Sequence, residues 1–84
     1  MNPSDIVSRL IELINPLIEV PLAKPISAST GITADLGFDS LKVMDLIMAV
    51  EDEYDVSVPI NALADIRTVG ELAELVSKTL GQNA

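Results

Sequence analysis

The sequence predicts an all-α fold: a small four-helix bundle with a long loop between its first and second helices and a short third helix. Three observations carry this expectation. Apolar residues recur at helical spacing in three separate stretches, and no stretch makes a convincing strand. Of the 84 residues 49% are apolar, yet Phe38 and Tyr54 are the only aromatics, so the core draws on Leu, Ile, Val, Met and Ala. That palette suits packed helices better than a sandwich of strands. A chain this short also has room for one core, so residues 1–84 read as one domain.

The first helix opens at Asn2-Pro3, where a capping side chain is followed by a proline whose missing N–H costs nothing. Ile6, Leu10, Leu13 and Leu17, flanked by Val7, Ile11, Ile14 and Ile18, form a wide apolar stripe. Pro16 should end or kink this helix near Ile14. Residues 16–33 then carry Pro16, Pro21, Pro25 and Gly31 among serines and threonines. This reads as a long connection, anchored by Leu17, Ile18, Val20 and Leu22.

A second helix is expected from Asp39 or Ser40 to about Tyr54, closed by the stretch "DVSVP". Pro59 opens a short third segment, roughly Ile60 to Asp65. The last helix is announced by Thr68-Val69-Gly70-Glu71, a capping box in which the Thr hydroxyl and the Glu carboxylate satisfy amides reciprocally. Val69, Leu72, Ala73, Val76 and Leu80 share one of its faces. Lys78 lies in the final turn, and Gly81 stands where it can cap the end.

Charge narrows the function. A net charge of −8 with five basic residues excludes a nucleic-acid backbone as ligand and favours basic protein surfaces. Without cysteine there is neither a disulfide framework nor a thiolate metal site. The most apolar stretch, "VSRLIELINPLIEVPL", is interrupted by Arg9, two glutamates and two prolines, so it is neither a signal peptide nor a membrane span. A cytoplasmic location without membrane insertion is the expectation.

On a wheel of about 100° per residue, the second helix has two apolar faces. Val43, Leu46, Ile47, Val50 and Tyr54 form a core stripe. Leu41, Met44 and Met48 fall opposite, interleaved with Asp45, Glu51 and Asp52. A bundle this small cannot bury both. Isolated exposed Leu and Met are ordinary, but a stripe of them bordered by acids reads as a docking surface. Residues 35 to 55 hold seven acids against Lys42 alone, three quarters of the excess negative charge.

Ser40 begins that helix. A nucleophilic serine needs a base and an oxyanion hole, and this chain has no histidine. Lys42 lies about 160° away round the helix, nearby carboxylates are weak bases, and "GFDSL" lacks the second glycine of a nucleophile elbow. An enzyme is not expected. Two readings remain: a helix cap, or an attachment point whose phosphodiester would meet free amides at the positive end of the helix dipole.

The stretch "DLGFDSLKVMDLIMAVEDEYDVSVP", followed by "IRTV", resembles the acyl carrier protein family over about residues 26 to 80. The resemblance implies an acyl-carrier bundle in which Ser40 bears 4′-phosphopantetheine, taken from coenzyme A by a separate phosphopantetheinyl transferase. The thiol of that arm would hold acyl groups as thioesters for lipid or secondary-metabolite enzymes with basic docking patches. Asp39, Leu41, Lys42, Met44, Asp45, Met48, Glu51 and Asp52 occupy the implied docking positions. Leu46, Ile47, Val50, Leu63 and Ile66 occupy the implied acyl-pocket lining.

Lys42 stands where the family usually has an acid, and Ile60-Asn61-Ala62 lack the usual acids after the proline. The first 25 residues match the pattern poorly. Together these imply a specialised carrier, and a free-standing, monomeric chain is the expectation. The alternative is an unmodified acidic helical module that binds a basic partner through the Met/Leu face.

Overall fold

In the computed structural model, which describes residues 3–19 and 24–82, α1 (Pro3–Ile14) stops where Pro16 says it should. Asn15–Leu17 extend it by one 3-10 turn, whose tighter winding accepts a proline without an amide donor. Ile6, Leu10 and Ile14 are completely buried, with Val7, Leu13, Leu17 and Ile18 packed beside them. The expected Asn2 cap, and Val20, Pro21 and Leu22 of the connection, lie outside the described residues.

The long connection is tied down rather than loose. Its backbone must pair its polar groups somewhere, and it does so against the approach to the last helix. Ile32 N donates to Arg67 O at 2.9 Å, Val69 N to Thr30 O at 3.0 Å, and Gly70 N to Ala28 O at 2.8 Å. Gly31 and Thr68 thereby form an isolated antiparallel bridge. Glycine is needed at position 70, because a Cβ there would sit 2.9 Å from the Ala28 carbonyl oxygen.

Gly37, at φ +70°, turns the chain into α2 (Ser40–Tyr54) through a left-handed conformation open to glycine. The turn buries Phe38 and leaves Asp39 outside, where its Oδ1 accepts the Lys42 amide at 2.9 Å as the helix cap. Leu46, Ile47 and Val50 form the buried side of α2, as the wheel predicts. Asp55 ends the helix in the left-handed region, φ 53°, with its amide on Glu51 O. Asp tolerates that region better than most side chains.

The third helix, α3 (Ile60–Leu63), is shorter than the expected reach to Asp65. Beyond Leu63 the chain tightens, with Asp65 N on Ala62 O and Ile66 N on Leu63 O, both at 3.2 Å. These bonds span three residues and cannot continue an α-helix. The last helix, α4 (Val69–Gln82), opens on the predicted capping box. Thr68 N donates to Glu71 Oε1 at 3.0 Å, and Glu71 N donates to Thr68 Oγ1 at 3.1 Å. Gly81 does not cap it. The helix runs on through Gln82, since glycine costs a helix only about 1 kcal/mol.

α1 packs chiefly on α4 and less on α2, with Val69, Leu72, Ala73 and Val76 buried in the seam. Arg9 crosses from α1 to α2 and donates to Glu53 at 2.8 Å while also pairing with Glu12. Those two carboxylates, Glu53 foremost, hold the guanidinium pKa above its ordinary value. Among the described residues, no helix is long and apolar enough to cross a membrane.

Candidate functional site

Asp39 performs the capping, so Ser40 is not required for it. Ser40 is the first residue of α2 and is exposed, and its hydroxyl makes no hydrogen bond among the described residues. The cap takes the Lys42 amide alone, which leaves the amides of Ser40 and Leu41 without a protein partner among those residues. They point along the positive end of the helix dipole. An exposed hydroxyl next to unpaired amides suits a covalently attached phosphate.

The second apolar face of α2, where docking is expected, is exposed. Leu41 is 78% exposed, Met44 42% and Met48 59%, the large apolar side chains that the described surface leaves in water. Asp45 and Asp52 are exposed on the same side and make no ion pair among the described residues. A desolvating apolar centre with unpaired acids at its margin is what a basic partner surface complements.

Two expected members of that face stand apart from it. Glu51 is half-buried, and its carboxylate accepts the Val58 amide at 2.8 Å, so it serves the turn into α3. Lys42 lies about 100° round the helix from Leu41. Its ammonium meets Glu19 Oε1 at 2.8 Å, beside the connection that follows α1. That hydrogen bond, more than any other influence, raises the lysine pKa above its ordinary value. The lone base of this helix therefore sits on its flank.

Beneath the flank of α2 nearest Ser40 lies a cavity of about 100 Å³. Leu46, Ile47, Leu63 and Ile66, four of the five residues named for an acyl pocket, line it, and Ile32, Thr33, Val43 and Leu72 complete its walls. Val50 does not reach it. It is completely buried about one turn farther along α2. Ser40, Val43 and Ile47 follow one another at three- and four-residue steps, so they form one edge of α2. Val43 stands about 4.5 Å along the axis from Ser40. A group anchored on the serine thus starts one turn from the cavity wall.

Val43 was open to discovery from that spacing, at the border of the core stripe. Ile32 and Thr33 were not, because a loop position carries no periodic signal. A wider hollow of about 310 Å³ lies over the loop, between Lys24 and Leu36. Its hydroxyls are largely engaged with one another, Ser27 Oγ with Ser29 Oγ at 3.0 Å and Thr30 Oγ1 with the Ser27 amide at 2.8 Å. Among the described residues no cluster of three acidic side chains is placed to hold a metal ion.

Comparison with known proteins bears on the same region. Residues 8–76 match the family model described as "Phosphopantetheine attachment site". A "Probable acyl carrier protein" of Caulobacter vibrioides is 40% identical over 55 residues, which are 66% of this chain and 64% of that protein. An "Acyl carrier protein" of Trieres chinensis is 39% identical over 72 residues, 86% of this chain and 89% of that one. In three dimensions the chain is similar to the crystal structure of an acyl carrier protein from Thermotoga maritima. That similarity has a TM-score of 0.81 at 26% identity and covers 100% of this chain and 96% of the other.

Proposed function

This chain belongs to the acyl carrier protein family, and from that premise we propose that Ser40 carries 4′-phosphopantetheine and that α2 presents the acyl cargo to biosynthetic enzymes. Members of this family are carriers and not catalysts. When bound, the prosthetic group supplies the thiol on which acyl groups ride as thioesters.

The observation that carries the reading is the state of Ser40: exposed, unbonded, and relieved of capping by Asp39. The rest follows from what surrounds it. The free amides of Ser40 and Leu41 can donate hydrogen bonds to a phosphate at the positive end of the helix dipole. Leu41, Met44 and Met48 give a visiting enzyme an apolar contact, while Asp45 and Asp52 steer its basic residues. The cavity beside Val43 and Ile47 gives the first methylenes of an acyl chain a place out of water.

Under this proposal a separate phosphopantetheinyl transferase loads Ser40, the carrier acts as a monomer, and residues 1–84 work as one carrier domain. Co-expression with a broad-specificity transferase, followed by intact-protein mass measurement, is the test. The expected result is a gain of one phosphopantetheine in the wild type and none in Ser40→Ala. No gain in the wild type, or a gain that survives Ser40→Ala, defeats the proposal. An unmodified interaction module would instead keep full partner binding in Ser40→Ala.

A further inference from the structure

Lys42 has a choice of carboxylates. Asp45 stands three residues on along α2, the spacing at which helix side chains meet, and Asp39, the cap of the helix, stands three residues before it and accepts its backbone amide. The ammonium pairs with neither carboxylate. Its ammonium lies 2.8 Å from Glu19, 23 residues away on the segment that follows α1. The Lys42 side chain is only 26% exposed, its stem laid along the protein, while Glu19 is 77% exposed.

The same flank of α2 holds Glu53, which pairs with Arg9 of α1. Charges on this flank are thus taken up by partners on or just after α1. Those on the docking face, Asp45 and Asp52, are left open among the described residues.

We infer that Glu19 is a positioning residue for partner recognition: by holding Lys42 it keeps Asp39 and Asp45 unneutralised toward a basic enzyme. The inference rests on α2 being the docking face of a carrier. Without Glu19 the ammonium is left beside Asp45 of its own helix and the capping Asp39, and turns to one of them. That quenches a negative charge at the docking face and puts a cation next to Leu41. Both changes oppose a basic partner, and both act through charge, so salt weakens them.

Steady-state loading by a phosphopantetheinyl transferase, with coenzyme A saturating and the carrier varied, tests this in low and high salt. At low salt Glu19→Gln should raise KM for the carrier about three-fold with kcat unchanged. Adding Lys42→Met to that variant should restore the wild-type KM, Glu19→Asp should keep it, and high salt should erase the difference. The salt dependence and the rescue by Lys42→Met are readouts that a packing role would not move. A wild type that loads normally while Glu19→Gln behaves like it, or a KM rise that Lys42→Met does not cancel, overturns this inference alone. A wild type that is never loaded overturns the carrier reading and the inference with it.

Discussion

The carboxylate of Glu51, on α2, accepts the amide of Val58, seven residues on, at 2.8 Å. This bond ties the end of α2 to the strand-like run into α3, with Val56 and Val58 buried on either side of exposed Ser57. Glu51→Ala leaves a part-buried amide without its acceptor and should cost about 1–2 kcal/mol in urea unfolding. Glu51→Gln keeps an acceptor and should recover most of that loss. The transferase KM should stay at the wild-type value in both. A rise in KM with stability intact would return Glu51 to the docking surface.

The proposed docking face makes the opposite prediction. Met44 and Asp45 are exposed, so Met44→Ala combined with Asp45→Lys should leave the melting temperature unchanged. Loading efficiency, kcat/KM, should fall about ten-fold or more, because an apolar contact is lost and a charge reversed. Equal loading of the variant and wild type would place the transferase elsewhere on the bundle.

Tyr54 gives a pH-dependent test. It is half-buried, and its hydroxyl has no hydrogen-bond partner among the described residues. Burial, more than the nearby Glu53, raises its pKa above the ordinary value of 10.0. The fold therefore favours the neutral phenol. Once pH rises past about 10 the unfolded chain gives up the proton first, and this contribution to stability is lost. Melting curves from pH 7 to 11 should show a steeper alkaline fall in the wild type than in Tyr54→Phe. At pH 7 Tyr54→Phe should be as stable as the wild type, or more stable by about 1 kcal/mol, since it removes a buried unpaired group. Parallel alkaline curves would contradict this account.

Gly70 and Gly81 form a matched pair in α4. A Cβ at Gly70 would meet the Ala28 carbonyl oxygen at 2.9 Å and the Ala28 Cβ at 3.2 Å, whereas one at Gly81 meets nothing within 4 Å. Gly70→Ala should lose about 1–2 kcal/mol, as overpacking outweighs helix propensity. Gly81→Ala should gain up to about 1 kcal/mol. Thermal unfolding of the two variants decides it, and the same sign for both would refute the close approach of loop and helix.

Local spacing determined much of this protein. The end of α1 before Pro16, the start of α2 at Ser40 and the Thr68–Glu71 box each depend on a few neighbouring residues, and each stands where the sequence places it. The two apolar faces of α2 follow from its period, so Leu46, Ile47 and Val50 are buried while Leu41, Met44 and Met48 face water. The family likeness around Ser40 was legible for the same reason, being carried by one continuous stretch.

The tertiary structure decided what depends on residues far apart. Glu19 and Lys42 meet across 23 residues, and nothing in either one's neighbourhood names the other. Asp39 rather than Ser40 became the cap because Gly37 turns the chain and Phe38 is drawn into the core. The cavity wall includes Ile32, Thr33 and Leu72 and excludes Val50, because it closes only where the loop, α2, α4 and the four-residue α3 with the turn after it converge. Periodicity tells which side of a helix is buried, but only packing tells what it is buried against.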